Sequence, residues 1–264
     1  MEKRKLMKLK GSENIRSRLL LSTLSSTPIL IDDIRSTDIN PGLRSYEVSL
    51  LRLIEKLCDD CSVIINETGT KLKYKPGIVM GGKFLEHDCG LSRSIGYFLE
   101  VLIVLGLFAK NSLQITLKGI TNDSKDPSVD TFQLTTLNIL KRFGVSSEGL
   151  ALKIEIRGVP PMGGGQVVLS IPILHTSLTA VNWIDEGMVK RIRGVSFSTR
   201  LSQKQLYVLL VVFSIIFFRM SPFPLIERLV HKLERGQCAL ASGPITRMTK
   251  ELLVIFIGIL YEII

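Results

Sequence analysis

A chain of 264 residues has room for one large domain or two small ones. Its 45% hydrophobic and 22% charged residues mark a globular chain rather than a disordered one. A formal net charge of +10 points to an acidic partner: nucleic acid first, an anionic membrane surface as the alternative.

In chain order, Lys3, Arg4, Lys5, Lys8 and Lys10 form a basic arm. No apolar stretch follows it, so no secretory signal is expected. Leu19 to Ser25 reads as an apolar helical stretch behind Arg16 and Arg18, which are either phosphate contacts or part of a solvated charged face. Ile29 to Ile34 is β-branched and reads as a strand. Asn40-Pro41 reads as a helix start, because Asn caps and Pro suits the first helical position. Leu43, Tyr46, Leu50, Leu53, Ile54 and Leu57 then recur at helical spacing. Val63 to Ile65 and Lys71 to Tyr74 flank Glu67-Thr68-Gly69 as a hairpin. Lys71, Lys73 and Lys75 alternate and so share one face of its second strand, a solvated face or a phosphate contact.

Ile78 to Met80 leads into Gly81-Gly82 and then His87-Asp88-Cys89-Gly90, where a lone His reads as a structural hydrogen-bonder ahead of a catalyst. Ser92 to Lys110 is an apolar helical segment with Gly96 and Gly106 as weak points. Leu113 to Leu117 alternates as a strand, and Asp126-Pro127-Ser128 opens a helix that runs to Phe143 and stops at Gly144. Leu150 to Ile156 is the next strand, and Asp185 to Phe197 another, carrying Lys190, Arg191 and Arg193. Strands and helices interleave with hairpins among them, so the fold class is α+β with mixed sheets.

Four cysteines occur: Cys58, Cys61, Cys89 and Cys238. Cys58-Asp59-Asp60-Cys61 matches a redox spacing but closes a helix instead of opening one, which argues against thiol chemistry. Joined to His87 and Cys89 it would make a four-ligand zinc set, but the spacing fits no standard finger. No metal and no cofactor are expected.

Between two alternating runs stands Arg157-Gly158-Val159-Pro160-Pro161-Met162-Gly163-Gly164-Gly165-Gln166. Two prolines fix φ and remove donors, and three glycines allow backbone conformations that other residues resist. This elbow is either a tight strand connection with no ligand or a phosphate cradle of exposed N–H groups at Gly163, Gly164 and Gly165. It is not a P-loop, because no Gly-Lys-Ser/Thr follows.

With these blocks in hand, the chain resembles the RNA 3′-terminal phosphate cyclase family, and within it the cyclase-like branch that serves small-subunit ribosome assembly. The resemblance runs through Asn14-Ile15-Arg16, Ile34-Arg35-Ser36, Pro41-Gly42-Leu43, Tyr74-Lys75-Pro76-Gly77-Ile78, His87-Asp88-Cys89 and Ile95-Gly96-Tyr97-Phe98. It continues through Lys118-Gly119-Ile120-Thr121, Asp126-Pro127-Ser128-Val129-Asp130-Thr131, the elbow, and Gly194 to Arg200. It implies tandem βαβαββ-type repeats, each a four-stranded sheet backed by two helices. The expected division is 8–100, 101–177, the start of an inserted domain at 178–201, and a tail outside the resemblance at 202–264.

The resemblance also implies a nucleolar, hence nuclear, factor that binds pre-rRNA and a nucleolar GTPase. True cyclases open with a glycine-rich acidic block and use a histidine nucleophile that ATP adenylylates. Here Gly11-Ser12-Glu13-Asn14-Ile15-Arg16 stands in the first place, and His231 sits in no matching motif. No catalytic residue is assigned; an ATP-dependent cyclase is the alternative, and a nuclease role is left undecided. The RNA candidates are Arg16, Arg18, Lys71, Lys73, Gly163 to Gly165, Lys190, Arg191 and Arg193. Leu206 to Phe218 and Leu252 to Ile264 are apolar runs of about 13 residues, short of the roughly 17–25 of a membrane helix, so no membrane partner is expected. They read as buried helices or surface-seeking segments of an alternative C-terminus.

Overall fold

The computed structural model describes residues 5–174, 177–182, 184, 189–195 and 258–263. Met7–Lys10 (β1) and Ile29–Asp32 (β2) lie parallel, joined by the helix Ile15–Ser25 (α1). The helix Ser45–Leu57 (α2) follows, running straight into the two-residue strand Cys58–Asp59 (β3). Ser62–Ile65 (β4) and Leu72–Lys75 (β5) then form an antiparallel hairpin. β5 returns beside β2, so the sheet order is β1-β2-β5-β4.

After Ile78–Val79 (β6), which pairs with β3, the same path is taken again. Gly82–Asp88 (β7) and Leu113–Gly119 (β8) lie parallel, joined by the helix Ile95–Leu107 (α3). Next come Val129–Thr131 (α4), a π-helical turn Phe132–Thr136, and Leu137–Arg142 (α5). The hairpin Ala151–Ile156 (β9) and Gly165–Ile171 (β10) closes the sheet in the order β7-β8-β10-β9. The chain thus builds a βαβαββ motif twice, over 7–75 and 82–171. The expected junction near residue 100 falls inside α3, because β7 pairs with β8 and not with the first sheet.

Helix and sheet meet through apolar faces. Ile29, Ile31, Leu72 and Tyr74 point inward from the first sheet, and Leu113, Ile115, Leu117, Val167, Leu169 and Ile171 from the second. They belong to one continuous core with Leu50, Leu53, Ile54, Phe98 and Leu102 of the helices. The Tyr74 hydroxyl is buried but hydrogen-bonded to Thr23 Oγ1 of α1 at 2.8 Å, which satisfies a polar group that would otherwise be costly there. α1 packs against both α2 and α3, and both motifs lie in one compact unit.

Several expectations need correcting. The basic arm runs into the sheet: Lys8 and Lys10 lie in β1, and Met7 N donates to Pro28 O at 2.9 Å. The Asn40-Pro41 signal does not start α2. Gly42 N and Leu43 N are drawn off to Ile34 O and Gly69 O at 3.0 Å each, and the helix begins only at Ser45, with Arg44 N donating to the Glu47 carboxylate at 2.7 Å. β7 was invisible because Glu86 and Asp88 read as a polar loop, and a register shift between Gly82 and Leu85, which leaves Phe84 exposed, breaks the alternation. Gly96 is a close-packing point of α3 rather than a weak one: a Cβ there would lie 2.0 Å from Pro127 O. Val189–Val195 (β11) is the expected strand, and it pairs with Gly258–Ile263 (β12), inside the run that read as helix or surface segment. Leu206 to Phe218 lies outside the described residues.

Candidate nucleic-acid interface

The elbow is stitched into the protein from both ends. Thr121 N donates to Gly158 O at 2.8 Å and Thr121 Oγ1 donates to the same oxygen at 2.9 Å. Gly158 N in turn donates to Thr121 Oγ1 at 3.3 Å. Gly163 N donates to Val159 O at 2.9 Å, closing the turn around Pro160 and Pro161. The donors of Gly158 and Gly163 are therefore spent internally. Gly158 is required by contact: a Cβ would lie 2.2 Å from Gly165 N and 2.6 Å from Gly119 O and Gly163 O. Gly163 and Gly164 are required by conformation, with φ of 65° and 77°. Of the three successive glycines, Gly164 is the one with open space around it.

Four arginine–carboxylate pairs surround α2, α3 and the elbow. Arg157 reaches both oxygens of Asp130 at 2.8 Å, fixing the elbow to α4. Arg35 reaches both oxygens of Glu47 at 2.8 and 2.7 Å. Arg93 grips both oxygens of Asp126, and that side chain is 2% exposed. These hydrogen bonds, more than the charge itself, hold the Arg93 guanidinium above its ordinary pKa. Arg16 pairs with Glu100. The guanidiniums of Arg16 and Arg93 also sit over the Tyr97 ring, at 4.7 and 4.8 Å from its centroid, a favourable placement against the ring quadrupole. These bidentate partners lie 12 to 33 residues apart in sequence, and no short-range pattern announces them.

The expected RNA contacts scatter. Arg16 is occupied by Glu100, Tyr97 and the Tyr97 carbonyl. Arg18 donates to the carbonyls of Lys10 and Gly11 at 3.0 and 2.8 Å, anchoring α1 to the end of β1. Gly163 to Gly165 lie in the elbow on the second motif. Lys71 and Lys73 stand on the first sheet, where Lys71 pairs with Asp32 at 2.9 Å and remains half exposed. Lys190, Arg191 and Arg193 are on β11, and their side chains lie outside the described part of the structure. Among the candidates whose side chains are described, Lys71 and Lys73 share a surface with other exposed lysines.

His87 is 5% exposed, with Nε2 at 2.9 Å from Ser49 Oγ of α2 and its ring 5.8 Å from that of Phe98. Burial, helped by Lys56 and opposed by Asp88, pushes its pKa down to about 4. A histidine in the unfolded chain takes a proton near pH 6.5, so the unfolded state binds more protons below that point. Stability from the neutral ring is present above about pH 6.5 and is lost as the pH falls through about 4. The expected full loss is on the order of 3 kcal/mol. Urea melts of the wild type and His87→Gln at neutral and mildly acidic pH check this, and equal pH slopes for the two proteins would refute it.

The described cysteines, Cys58, Cys61 and Cys89, carry no reactive signature. Burial pushes the Cys58 thiol up to about 12 and also raises Cys61 and Cys89. Among the described residues no group of three His, Cys, Asp or Glu side chains is arranged to hold a metal ion. Nor is any described helix long and apolar enough to cross a membrane.

Comparison with known proteins places this arrangement. The family model described as RNA 3′-terminal phosphate cyclase matches residues 7–261, running past residue 201, where the sequence reading ended the resemblance. A probable RNA 3′-terminal phosphate cyclase-like protein of Arabidopsis thaliana is 64% identical over 197 residues, covering 75% of this chain and 52% of the relative. The human RNA 3′-terminal phosphate cyclase-like protein is 48% identical, covering 73% of this chain and 51% of its own length. The Schizosaccharomyces pombe protein named rRNA processing protein rcl1 is 42% identical, covering 75% and 54%. The chain spans about half the length of these curated relatives. With a twice-built βαβαββ motif and a family match over most of its residues, the chain belongs to the RNA 3′-terminal phosphate cyclase family.

Proposed function

We propose that this chain acts in rRNA processing, in the nucleolus, as an RNA-binding component of small-subunit assembly that contacts pre-rRNA phosphates and a nucleolar GTPase. The observation that carries the reading is its match to relatives of two yeasts that are named rRNA processing proteins, at 42% and 41% identity. The net charge of +10 supports a nucleic-acid partner. The role is binding rather than ring closure on RNA ends. At the place where cyclases carry a glycine-rich acidic block, this chain has Asn14 in a left-handed conformation ahead of α1 and Arg16 committed to Glu100. Lys71 and Lys73, with Lys190, Arg191 and Arg193, supply the positive charge.

Binding dominated by phosphate contacts weakens as salt rises, because bound cations are released from the nucleic acid. Filter binding of single-stranded RNA should lose at least about tenfold in affinity between roughly 50 and 200 mM salt. Absence of binding at low salt, or a response indifferent to salt, would end this reading.

A further inference from the structure

The two motifs share one topology, so their outward sheet faces can be compared position by position. In the first sheet the register places Lys8 opposite Leu30, Leu30 opposite Lys73, and Lys73 opposite Ile64, a row that crosses all four strands. Lys10 and Asp32 form the next row, and Lys75 stands opposite Ser62. Lys71, at the foot of β5, completes a face with five lysines and one carboxylate within the strands, Asp32.

The corresponding face of the second sheet has a different balance. Along its paired strands it carries Lys118 and Lys153, with Lys83 exposed in the bulge of β7, against Glu86, Asp88 and Glu155, and Gln114, Thr116, Gln166 and Ser170 stand between them. Lys118 is paired with Glu86 at 2.9 Å, and Lys153 lies 3.8 Å from Glu155. One fold, built twice, is lysine-rich on one outer face and charge-balanced on the other. Packing cannot explain the difference, since these positions point away from the core in both sheets.

The lysines of the first sheet are poised for an external anion. Lys10, Lys71 and Lys75 face Asp33, Asp32 and Asp60 at 3.8, 2.9 and 3.1 Å, with 84%, 53% and 58% of each lysine side chain still exposed. Pairs this exposed are worth little and exchange readily for another partner. Lys8 and Lys73 are exposed and carry no ion pair among the described residues. They lie two strands apart, about 10 Å, and lysines two residues apart on one strand lie about 7 Å apart. Leu30 between them and Ile64 at the edge give the row an apolar floor. No aromatic side chain stands in the row, so the face offers charge without stacking.

We infer that the outer face of the first sheet, centred on Lys8 and Lys73, is the surface that receives the RNA sugar-phosphate backbone, without reading base sequence. This rests on the RNA-binding reading above and moves it from the arginines and the elbow to an open sheet. The test uses the full chain, a labelled oligouridylate and a labelled oligoadenylate. Lys8→Gln/Lys73→Gln is compared with Lys118→Gln/Lys153→Gln, which removes the same charge from the second sheet.

The first pair should weaken binding of both RNAs about tenfold and lower the salt slope by about one to two, and the second pair should have little effect. Lys8→Glu/Lys73→Glu should deepen the loss, and melting curves of every variant guard against misfolding. Equal effects of the two Gln pairs would overturn the assignment while leaving RNA binding intact. A marked preference of the wild type for one RNA would overturn the claim of backbone recognition. Failure of the wild type to bind either RNA at low salt would remove the reading on which the assignment rests.

Discussion

Arg93→Met should destabilise the protein by about 3–5 kcal/mol, because it leaves a carboxylate charged and alone in the interior. Asp126 has 2% of its side chain exposed and receives both of its guanidinium hydrogen bonds from Arg93. Its remaining support is limited: the neighbouring backbone N–H groups of Lys125 and Asp126 donate to Asp123 instead. Arg93 is also packed over Tyr46 and Tyr97, at 5.1 and 4.8 Å, so the substitution loses a stacked cation as well. Denaturant unfolding measures the cost. Adding Asp126→Leu should return much of the stability, since a buried pair replaced as a whole by apolar groups is often neutral. A single-variant loss below about 1 kcal/mol would mean that water reaches Asp126 and that the pair is incidental.

Gly158→Ala is the second large effect expected. The new methyl group would meet Gly165 N, Gly119 O and Gly163 O, and all three belong to backbone held in the sheet or the turn. No flexible side chain is available to yield, so the cost should reach about 3 kcal/mol, at the upper end of ordinary overpacking. Gly164→Ala is the matched comparison. Its φ of 77° penalises a side chain by about 1–2 kcal/mol, but nothing lies within 4 Å of the added carbon. Thermal melts of the two variants should therefore rank Gly158→Ala as the more damaging. The reverse order would show that conformation, not contact, sets the glycine requirement of the elbow.

The hairpins, the long apolar helix and the α+β class were legible because each rests on local periodicity. Leu72 and Tyr74 alternate with Lys71, Lys73 and Lys75, and that pattern alone assigns a face. β7 was not legible, since Glu86, His87 and Asp88 look like a polar loop until β8 supplies a partner. The Asn40-Pro41 signal failed for a related reason: long-range hydrogen bonds to Ile34 and Gly69 outweighed a local capping preference. The site followed the same division. Lysines on a strand could be placed by alternation, whereas the fate of Arg16 and Arg18 depended on Glu100 and on the end of β1, which no spacing reveals. The elbow glycines were legible as a backbone requirement: backbone contact, with Gly119 among the neighbours, sets it at Gly158 and Gly165, and a left-handed conformation sets it at Gly163 and Gly164.

The contact of α1 with α3 has a consequence for how the molecule comes apart. Each motif buries its helices partly against the other's, and Arg16 spans the seam to Glu100 and Tyr97. Two look-alike halves joined by a few residues invite the picture of beads on a string. A shared interior makes them one melting body instead: heat should dissolve both sheets in a single transition, and a protease cut between Pro76 and Gly81 should release no independently folded half.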